Sequence, residues 1–92
     1  MPRVTVLLYG AYAEFAGGKK AVIDAANVRE ALDAAVAAYP ALRERLRDEH
    51  GAIRQHVNVF ANTEEMRHLD GEQTALRDGD VVHIIPAVSG GI

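Results

Sequence analysis

Alternating apolar residues near both ends of the chain predict two β-strands. In residues 3–9 (RVTVLLY), Val4, Val6 and Leu8 share one face, because successive side chains of a strand point to opposite sides of the sheet. Residues 81–86 (VVHIIP) are equally apolar and follow an Asp-Gly-Asp turn. We expect these two segments to form the first and the last strand of a sheet.

The most regular pattern in the chain predicts an α-helix over residues 27–39. Apolar positions recur there at the helical spacing of three and four residues. This stripe consists of Val28, Ala31, Leu32, Ala35, Val36 and Tyr39. Asn27 is a favourable N-cap, and Glu30 follows three positions later, as in a capping box. Pro40 disfavours helical geometry at the residue before it and is expected to end the helix.

Shorter segments complete the predicted order of elements. Residues 19–24 and 56–61 are expected to be strands, residues 65–69 a short strand, and residues 10–18 a long connection. A hairpin, a crossover helix and further strands in this order are typical of an α+β protein with the β-grasp, or ubiquitin-like, arrangement. We therefore expect a mixed sheet of four to five strands packed on one main helix, with the first and last strands adjacent and parallel.

The pattern also predicts a single domain over residues 1–92, in which residues 87–92 form a flexible C-terminal tail. A short helical turn with Leu42 and Leu46 is expected after the main helix, and the charges of residues 43–49 are interpreted as a solvated face. The predicted core consists of Val4, Val6, Leu8, Val22, Val28, Leu32, Val36, Leu42, Leu46, Val57, Val59, Leu76, Val82 and Ile84.

Composition narrows the classes of function. The 92 residues include no cysteine, which excludes a disulfide framework, a thiolate metal site and a thiol nucleophile. The net charge of −3, with basic and acidic residues interleaved, and the low aromatic content argue against nucleic-acid binding. No apolar run approaches the ~20 residues of a membrane span, and no signal peptide is visible. The expected location is the cytoplasm, without membrane association.

The side chains that usually perform catalysis do not form a recognisable set. The four histidines, His50, His56, His68 and His83, lack the spacing of a metal site. The carboxylate pairs lie in predicted turns, and Ser89 has no evident base partner. We therefore expect a protein that is not itself an enzyme and that binds neither a cofactor nor a metal.

The end of the chain carries the most informative motif. An apolar strand is followed by Pro86 and then by Ala-Val-Ser-Gly-Gly. Two glycines without a Cβ can pass through a channel no wider than a backbone. A Gly-Gly pair alone is a weak signal, but it becomes specific directly after the last strand of a β-grasp fold.

With these residues, the chain resembles the ubiquitin-like sulfur carriers of the MoaD/ThiS type. The resemblance covers essentially the whole sequence. It is carried by VTVLLYGAYAEFAG, by the Tyr-Pro-Ala-Leu that ends the helix, by HVNVFAN and, most specifically, by LRDGDVVHIIPAVSGG. The likeness is greatest to cysteine-biosynthesis carriers and archaeal ubiquitin-like small modifiers, and slightly more distant to the small subunit of molybdopterin synthase.

The resemblance implies a mechanism in which the terminal glycine carboxylate reacts. An adenylating enzyme of the ubiquitin-activating type uses ATP to form an acyl-adenylate, and a sulfur donor then displaces AMP to leave a thiocarboxylate. By this resemblance Gly91 carries the sulfur, Gly90 gives slimness and reach, and Val88 and Ser89 line the channel of a sulfur-accepting enzyme. That enzyme could serve cysteine, molybdopterin or thiamine synthesis or tRNA thiolation.

One residue departs from the family pattern, because Ile92 follows the second glycine. A β-branched residue would crowd the channel. One explanation is that a protease, such as a JAMM-type metalloprotease, removes Ile92 and exposes Gly91. The other is that the chain is an inactive paralogue.

A partner-binding surface is expected on the sheet face opposite the main helix. Its predicted residues are Leu7, Tyr9, Phe60, His83, Ile85 and Pro86. An apolar patch of this kind often marks an interface. The alternative is that Phe60 or Tyr9 folds back into a side cluster. The acids Glu64, Glu65, Asp78 and Asp80 are expected to form a polar rim that attracts a basic partner.

Three functions remain open at this point. The first is a sulfur carrier for a biosynthetic enzyme. The second is a protein modifier, in which activated Gly91 forms an isopeptide bond with a target lysine. The third is a plain β-grasp interaction module with an inert tail.

Overall fold

A computed structural model describes residues 1–87 and contains a five-stranded mixed sheet in the order β2-β1-β5-β3-β4. The strands are β1 (Arg3–Leu8), β2 (Lys20–Asp24), β3 (Val57–Ala61), β4 (Glu64–Glu65) and β5 (Val81–Pro86). Strands β1 and β5 pair in parallel at the centre, with Val6 opposite Val82 and Leu8 opposite Ile84. The β-grasp prediction is confirmed, including the adjacent first and last strands.

Three α-helices accompany the sheet. They are α1 (Ala11–Ala16), α2 (Val28–Ala38) and α3 (Arg43–Leu46), with 3₁₀ turns at Pro40–Leu42, Met66–His68 and Gly71–Gln73. Helix α2 is the long one and lies against the sheet. No helix within residues 1–87 is long and apolar enough to cross a membrane.

Helix α2 begins where its sequence predicts. The Asn27 Oδ1 accepts a hydrogen bond from the Glu30 backbone N–H at 2.9 Å, and the Glu30 carboxylate accepts one from the Ala26 N–H at 2.7 Å. These bonds satisfy donors that the first turn of a helix leaves unpaired. The helix ends at Ala38, two residues before Pro40, as the proline requires.

The connection predicted for residues 10–18 is wrong, because α1 occupies most of it. Gly10 precedes the helix with φ 55°, and Gly17 ends it with φ 77°, where its N–H donates to the carbonyls of Ala13 and Glu14. With only six residues, the segment is too short to show a helical period. The helix buries Tyr12, a core residue that the sequence pattern did not identify.

The core lies between the sheet and α2 and agrees with the prediction at most positions. Val22 is the main error, since it is 49% exposed. Strand β2 pairs Val22 with Thr5 and Ile23 with Val4, so that Ile23 faces the core and Val22 faces outward. Val36 is only partly buried. Buried residues outside the predicted core are Tyr12, Ala25, Ala31, Ala35, Ala61 and Met66.

The short strand predicted over residues 65–69 is also largely wrong. Strand β4 contains only Glu64–Glu65, and a 3₁₀ turn follows at Met66–His68. The turn points Met66 into the core, where its side chain is 4% exposed. The burial of Met66 could not be predicted, because a single apolar residue beside a turn does not form an alternating pattern of apolar and polar positions.

Arg47, one of the charged residues of the segment 43–49, has a structural role. The Arg47 guanidinium donates two hydrogen bonds to the Glu72 carboxylate, at 2.5 and 3.0 Å, and a third to the Gly51 carbonyl at 2.8 Å. The hydrogen bond with Glu72 is the main reason why the pKa of Arg47 is raised. This half-buried pair joins the segment after α3 to the 3₁₀ turn at Gly71–Gln73.

Candidate functional site

The sheet face opposite α2, called here the outer face, collects the residues predicted to bind a partner. The outer face consists of Leu7, Tyr9, Phe60, His83 and Ile85. Strand register places Leu7 opposite His83, and His83 opposite Phe60. These three side chains therefore form a row across β1, β5 and β3, since residues opposite one another share a face.

The outer face is half-buried and does not belong to the core. Tyr9 is 39% exposed, and Phe60 is absent from the residues that build or contact the core cluster. A hydrogen bond of 2.7 Å joins the Tyr9 hydroxyl to Nδ1 of His83, and their ring centroids are 5.7 Å apart. Tyr9 therefore packs against His83 on the outer face, and neither Tyr9 nor Phe60 joins the core cluster. Their role in binding stays a prediction.

The acidic rim has a more local role than expected. Asp78 Oδ1 accepts a hydrogen bond from the Arg3 N–H at 2.7 Å, and Asp80 Oδ2 accepts one from the Arg77 N–H at 2.8 Å. Glu65 accepts one from the Arg67 N–H at 3.2 Å. These three carboxylates stabilise turns in the way typical of Asp and Glu at such positions, each through one backbone hydrogen bond.

The end of strand β5 is crowded by two neighbouring segments. We call this region, which consists of Pro86 and Ala87 with Gly10 and His56 beside them, the tail root. The Ala87 N–H donates to the His56 carbonyl at 2.8 Å, which joins the end of β5 to the start of β3. On the other side, a Cβ added to Gly10 would lie 3.1 Å from Cγ of Pro86, and Gly10 has φ +55°. The β1–α1 turn therefore needs a glycine, and Pro86 is held between two neighbouring segments.

The tail root is the point of the structure after which residues 88–92 follow in the sequence. It lies at the end of the central strand and adjoins the outer face through Ile85 and Pro86. The predicted tail residues Val88, Ser89, Gly90 and Gly91, together with Ile92, lie outside the described residues.

The pKa values of two further groups, Asp48 and Tyr12, are shifted by their surroundings. Asp48 accepts hydrogen bonds from the His50 and Ala52 N–H groups, which lower the pKa of Asp48. Burial raises the pKa of Tyr12, whose hydroxyl has no hydrogen-bond partner among the described residues. In residues 1–87 no three His, Asp or Glu side chains are placed to hold a metal ion.

Sequence reasoning found the outer face but missed the buried Tyr12 hydroxyl near the tail root. The outer face follows from alternation along three strands. Tyr12 has no such signal, because its burial depends on how α1 packs against the segments around residue 40. The described site therefore offers surfaces for recognition and no paired nucleophile and base.

Comparison with known proteins agrees with this description. Residues 6–91 match the family described as the ThiS family. The chain is 47% identical over 70 residues to small archaeal modifier protein 3 of Haloferax volcanii, covering 76% of this chain and 75% of that protein. It is 38% identical over 78 residues to the sulfur carrier protein CysO of Mycobacterium tuberculosis, covering 82% and 84% of the two chains.

A solved structure shows the same fold. The BexX/CysO complex of Amycolatopsis orientalis contains a chain that superposes with a TM-score of 0.83 at 31% identity, covering 96% of this chain and 99% of that one. These relatives are small carrier or modifier proteins, which agrees with the expectation that the chain is not itself an enzyme.

Adjacent isoleucines on opposite faces of β5 test the separation between core and outer face. We expect Ile84→Ala to lower the free energy of unfolding by about 2–5 kcal/mol, since Ile84 is completely buried. Ile85→Ala should cost less than about 2 kcal/mol, because its side chain is half-buried and leaves no closed cavity. Urea unfolding followed by circular dichroism measures both values. Equal losses would show that the outer face belongs to the core.

Proposed function

Because this chain belongs to the ThiS family, we propose that it is a sulfur carrier that holds sulfur as a thiocarboxylate on Gly91. The observation that carries this proposal is the position of β5. It is the central strand of the sheet, and its last residues, Ile85 and Pro86, lead from an apolar face into the Gly-Gly segment. The family match extends through Gly91 and stops before Ile92.

The proposed chemistry proceeds in two steps on the Gly91 carboxylate. The carboxylate oxygen attacks the α-phosphate of ATP, pyrophosphate leaves, and an acyl-adenylate forms. A sulfide equivalent from a donor then attacks the carbonyl carbon, the C–O bond to AMP breaks, and a thiocarboxylate remains. Adenylation is needed because the oxide of a carboxylate is a poor leaving group. Both steps take place in partner enzymes, so this chain needs only to be recognised and to present its end.

Whatever follows Gly91 must be removed before this chemistry can begin. We propose that a peptidase, of the JAMM metalloprotease class, hydrolyses the peptide bond after Gly91 and releases Ile92. A β-branched residue has restricted side-chain rotamers and cannot enter a channel shaped for glycine. Removal of Ile92 would then switch the carrier on.

We further propose that the outer face docks on the adenylating enzyme. This surface is apolar, half-buried and adjacent to the tail root, so a partner that covers it also receives the tail. The BexX/CysO complex of Amycolatopsis orientalis supports this proposal, because one of its chains has this fold.

The intact mass of the protein isolated from its own host tests the carrier proposal directly. We expect a mass lower by one isoleucine residue and higher by the difference between one sulfur and one oxygen atom. Alkylation with iodoacetamide should then add one group, although the chain contains no cysteine. A chain that ends at residue 91 and stays unmodified after incubation with ATP, the host's adenylating enzyme and sulfide would contradict the proposal.

Substitution of Gly91 tests whether the end of the chain must lack a side chain to enter the active site of the adenylating enzyme. In chains that end at residue 91, we expect Gly91→Ala to lower the rate of ATP–pyrophosphate exchange by about 100-fold, because a methyl group displaces the reacting carboxylate. Thermal unfolding should stay unchanged. Thr63→Ala, at an exposed turn, serves as the control and should exchange normally. Normal exchange by the Gly91 variant would refute the narrow channel.

Substitution on the outer face tests docking. In chains that end at residue 91, Ile85→Glu should raise the KM for the carrier in ATP–pyrophosphate exchange by about tenfold or more, because a charge would be buried in an apolar interface. Leu69→Glu is the matched control, since Leu69 is a 43% exposed apolar residue outside the outer face. Equal KM values for the two variants would place the interface elsewhere.

A second function is favoured by the likeness to small archaeal modifier protein 3. In that case activated Gly91 would form isopeptide bonds with target lysines. Conjugates of higher mass that disappear when Gly91 is deleted would establish it. Only Lys19 and Lys20 of this chain could accept a further copy, which argues against long polymers. A plain interaction module would instead keep partner binding and cell function after deletion of residues 90–92.

A further inference from the structure

A second surface adjoins the tail root on the side away from the outer face. It is a groove between α1, the 3₁₀ turn at Pro40–Leu42 and the segment before β3. We call it the tail-root groove. Its main residues are Phe15, Pro40, Arg43, Arg45, Arg54 and Pro86. Of these, only Pro86 also belongs to the surface predicted from the sequence.

The tail-root groove is basic on a protein that is acidic overall. Arg43, Arg45 and Arg54 line it, whereas Glu44 is the only acid among its lining residues, and the chain has a net charge of −3. No carboxylate within residues 1–87 lies within ion-pair distance of these three guanidinium groups. The charge of Arg54 is partly offset by Asp48, whose pKa it helps to lower. The groove therefore keeps an excess of basic over acidic lining residues, with its three guanidinium groups free of ion pairs in the described part of the chain.

Two of these arginines are held in place by their neighbours. The Arg45 guanidinium lies over the Phe15 ring, with 3.7 Å between Cζ and the ring centroid. Stacking uses the face of a guanidinium and leaves its N–H edge available for a carboxylate. Arg54 Nε donates to the Glu44 carbonyl at 2.9 Å, a bond that does not involve the two terminal nitrogens. A positioned guanidinium loses less entropy on binding than a free one.

A buried hydroxyl in the same groove lacks a partner. Tyr12 lines the groove, is 4% exposed, and its hydroxyl makes no hydrogen bond among the described residues. An unsatisfied buried polar group is destabilising. Burial also raises the pKa of Tyr12. The hydroxyl oxygen is enclosed, so Tyr12 contributes to the wall of the groove and its hydroxyl does not contribute to the accessible surface.

We propose that the tail-root groove docks an acidic segment of the enzyme that adenylates the tail. Aspartate or glutamate carboxylates of that segment pair with Arg43, Arg45 and Arg54, and an apolar side chain beside them packs on Phe15 and Pro86. The apolar part of the groove favours a peptide over a free anion, because a small ion would leave it uncovered. This proposal rests on the proposed function, since it supplies a second anchor next to the point where the tail leaves the sheet.

Charge reversal tests the groove. The variant Arg43→Glu/Arg45→Glu changes two exposed residues and should fold normally by circular dichroism. Its matched control is Arg29→Glu/Arg77→Glu, which has the same net charge. Arg29 and Arg77 are exposed and outside the groove, and Arg77 lies near the opposite end of β5. Surface plasmon resonance on the immobilised adenylating enzyme of the same host measures Kd, and ATP–pyrophosphate exchange measures the chemistry.

We expect the groove variant to raise Kd at least about tenfold at low salt, and the control less than about threefold. Binding of the unaltered chain should weaken steeply with salt, and the groove variant should lose much of that dependence. Equal Kd values for the two variants, or no binding by the unaltered chain, would overturn the groove proposal. In chains that end at residue 91, binding that depends on the groove without any pyrophosphate exchange would instead overturn the proposed adenylation and leave the groove intact.

Discussion

The parallel pairing of β1 with β5 is the constraint on which the rest of the structure depends. Two parallel neighbours cannot be joined by a tight turn, so the chain between them must leave the sheet and return. Helix α2 and the strands β2 and β3 fill that interval and cover the pair on one face and both edges. As a result, the last strand lies at the centre of the sheet, with a neighbour on each side.

Successive side chains of β5 point to opposite faces of the sheet, so that one set packs in the core and the other set lies on the outer face. Val82 and Ile84 are buried in the core, while His83 and Ile85 lie on the outer face. Because the core residues fix the register, the outer residues are displayed at defined positions without contributing most of the stability. A protein of this size can therefore keep an apolar surface for a partner without losing its own core.

The sequence was sufficient for the elements whose pattern repeats several times. The six-residue strands β1 and β5 and the capped helix α2 were predicted nearly to the residue, and the outer face followed from them. Prediction failed where the pattern was short. Helix α1 has less than two turns, and Val22 and Ile23 are both β-branched and apolar, so sequence alone could not decide which of them faces inward. The tail-root groove was missed for a related reason, since it exists only where α1 meets the residues around Pro40.

The two surfaces at the tail root suit different parts of a recognition process. An apolar patch such as the outer face binds a partner by removing surface from water. This interaction is non-directional and acts only once the two surfaces are in contact. The charged groove attracts an acidic surface over about 10 Å at moderate salt and fixes its orientation. In the proposed carrier function, partner enzymes supply the chemistry, and this chain brings its end to a reactive position. Two different contacts on either side of Pro86 define that position, because one contact alone would leave the carrier free to rotate about it.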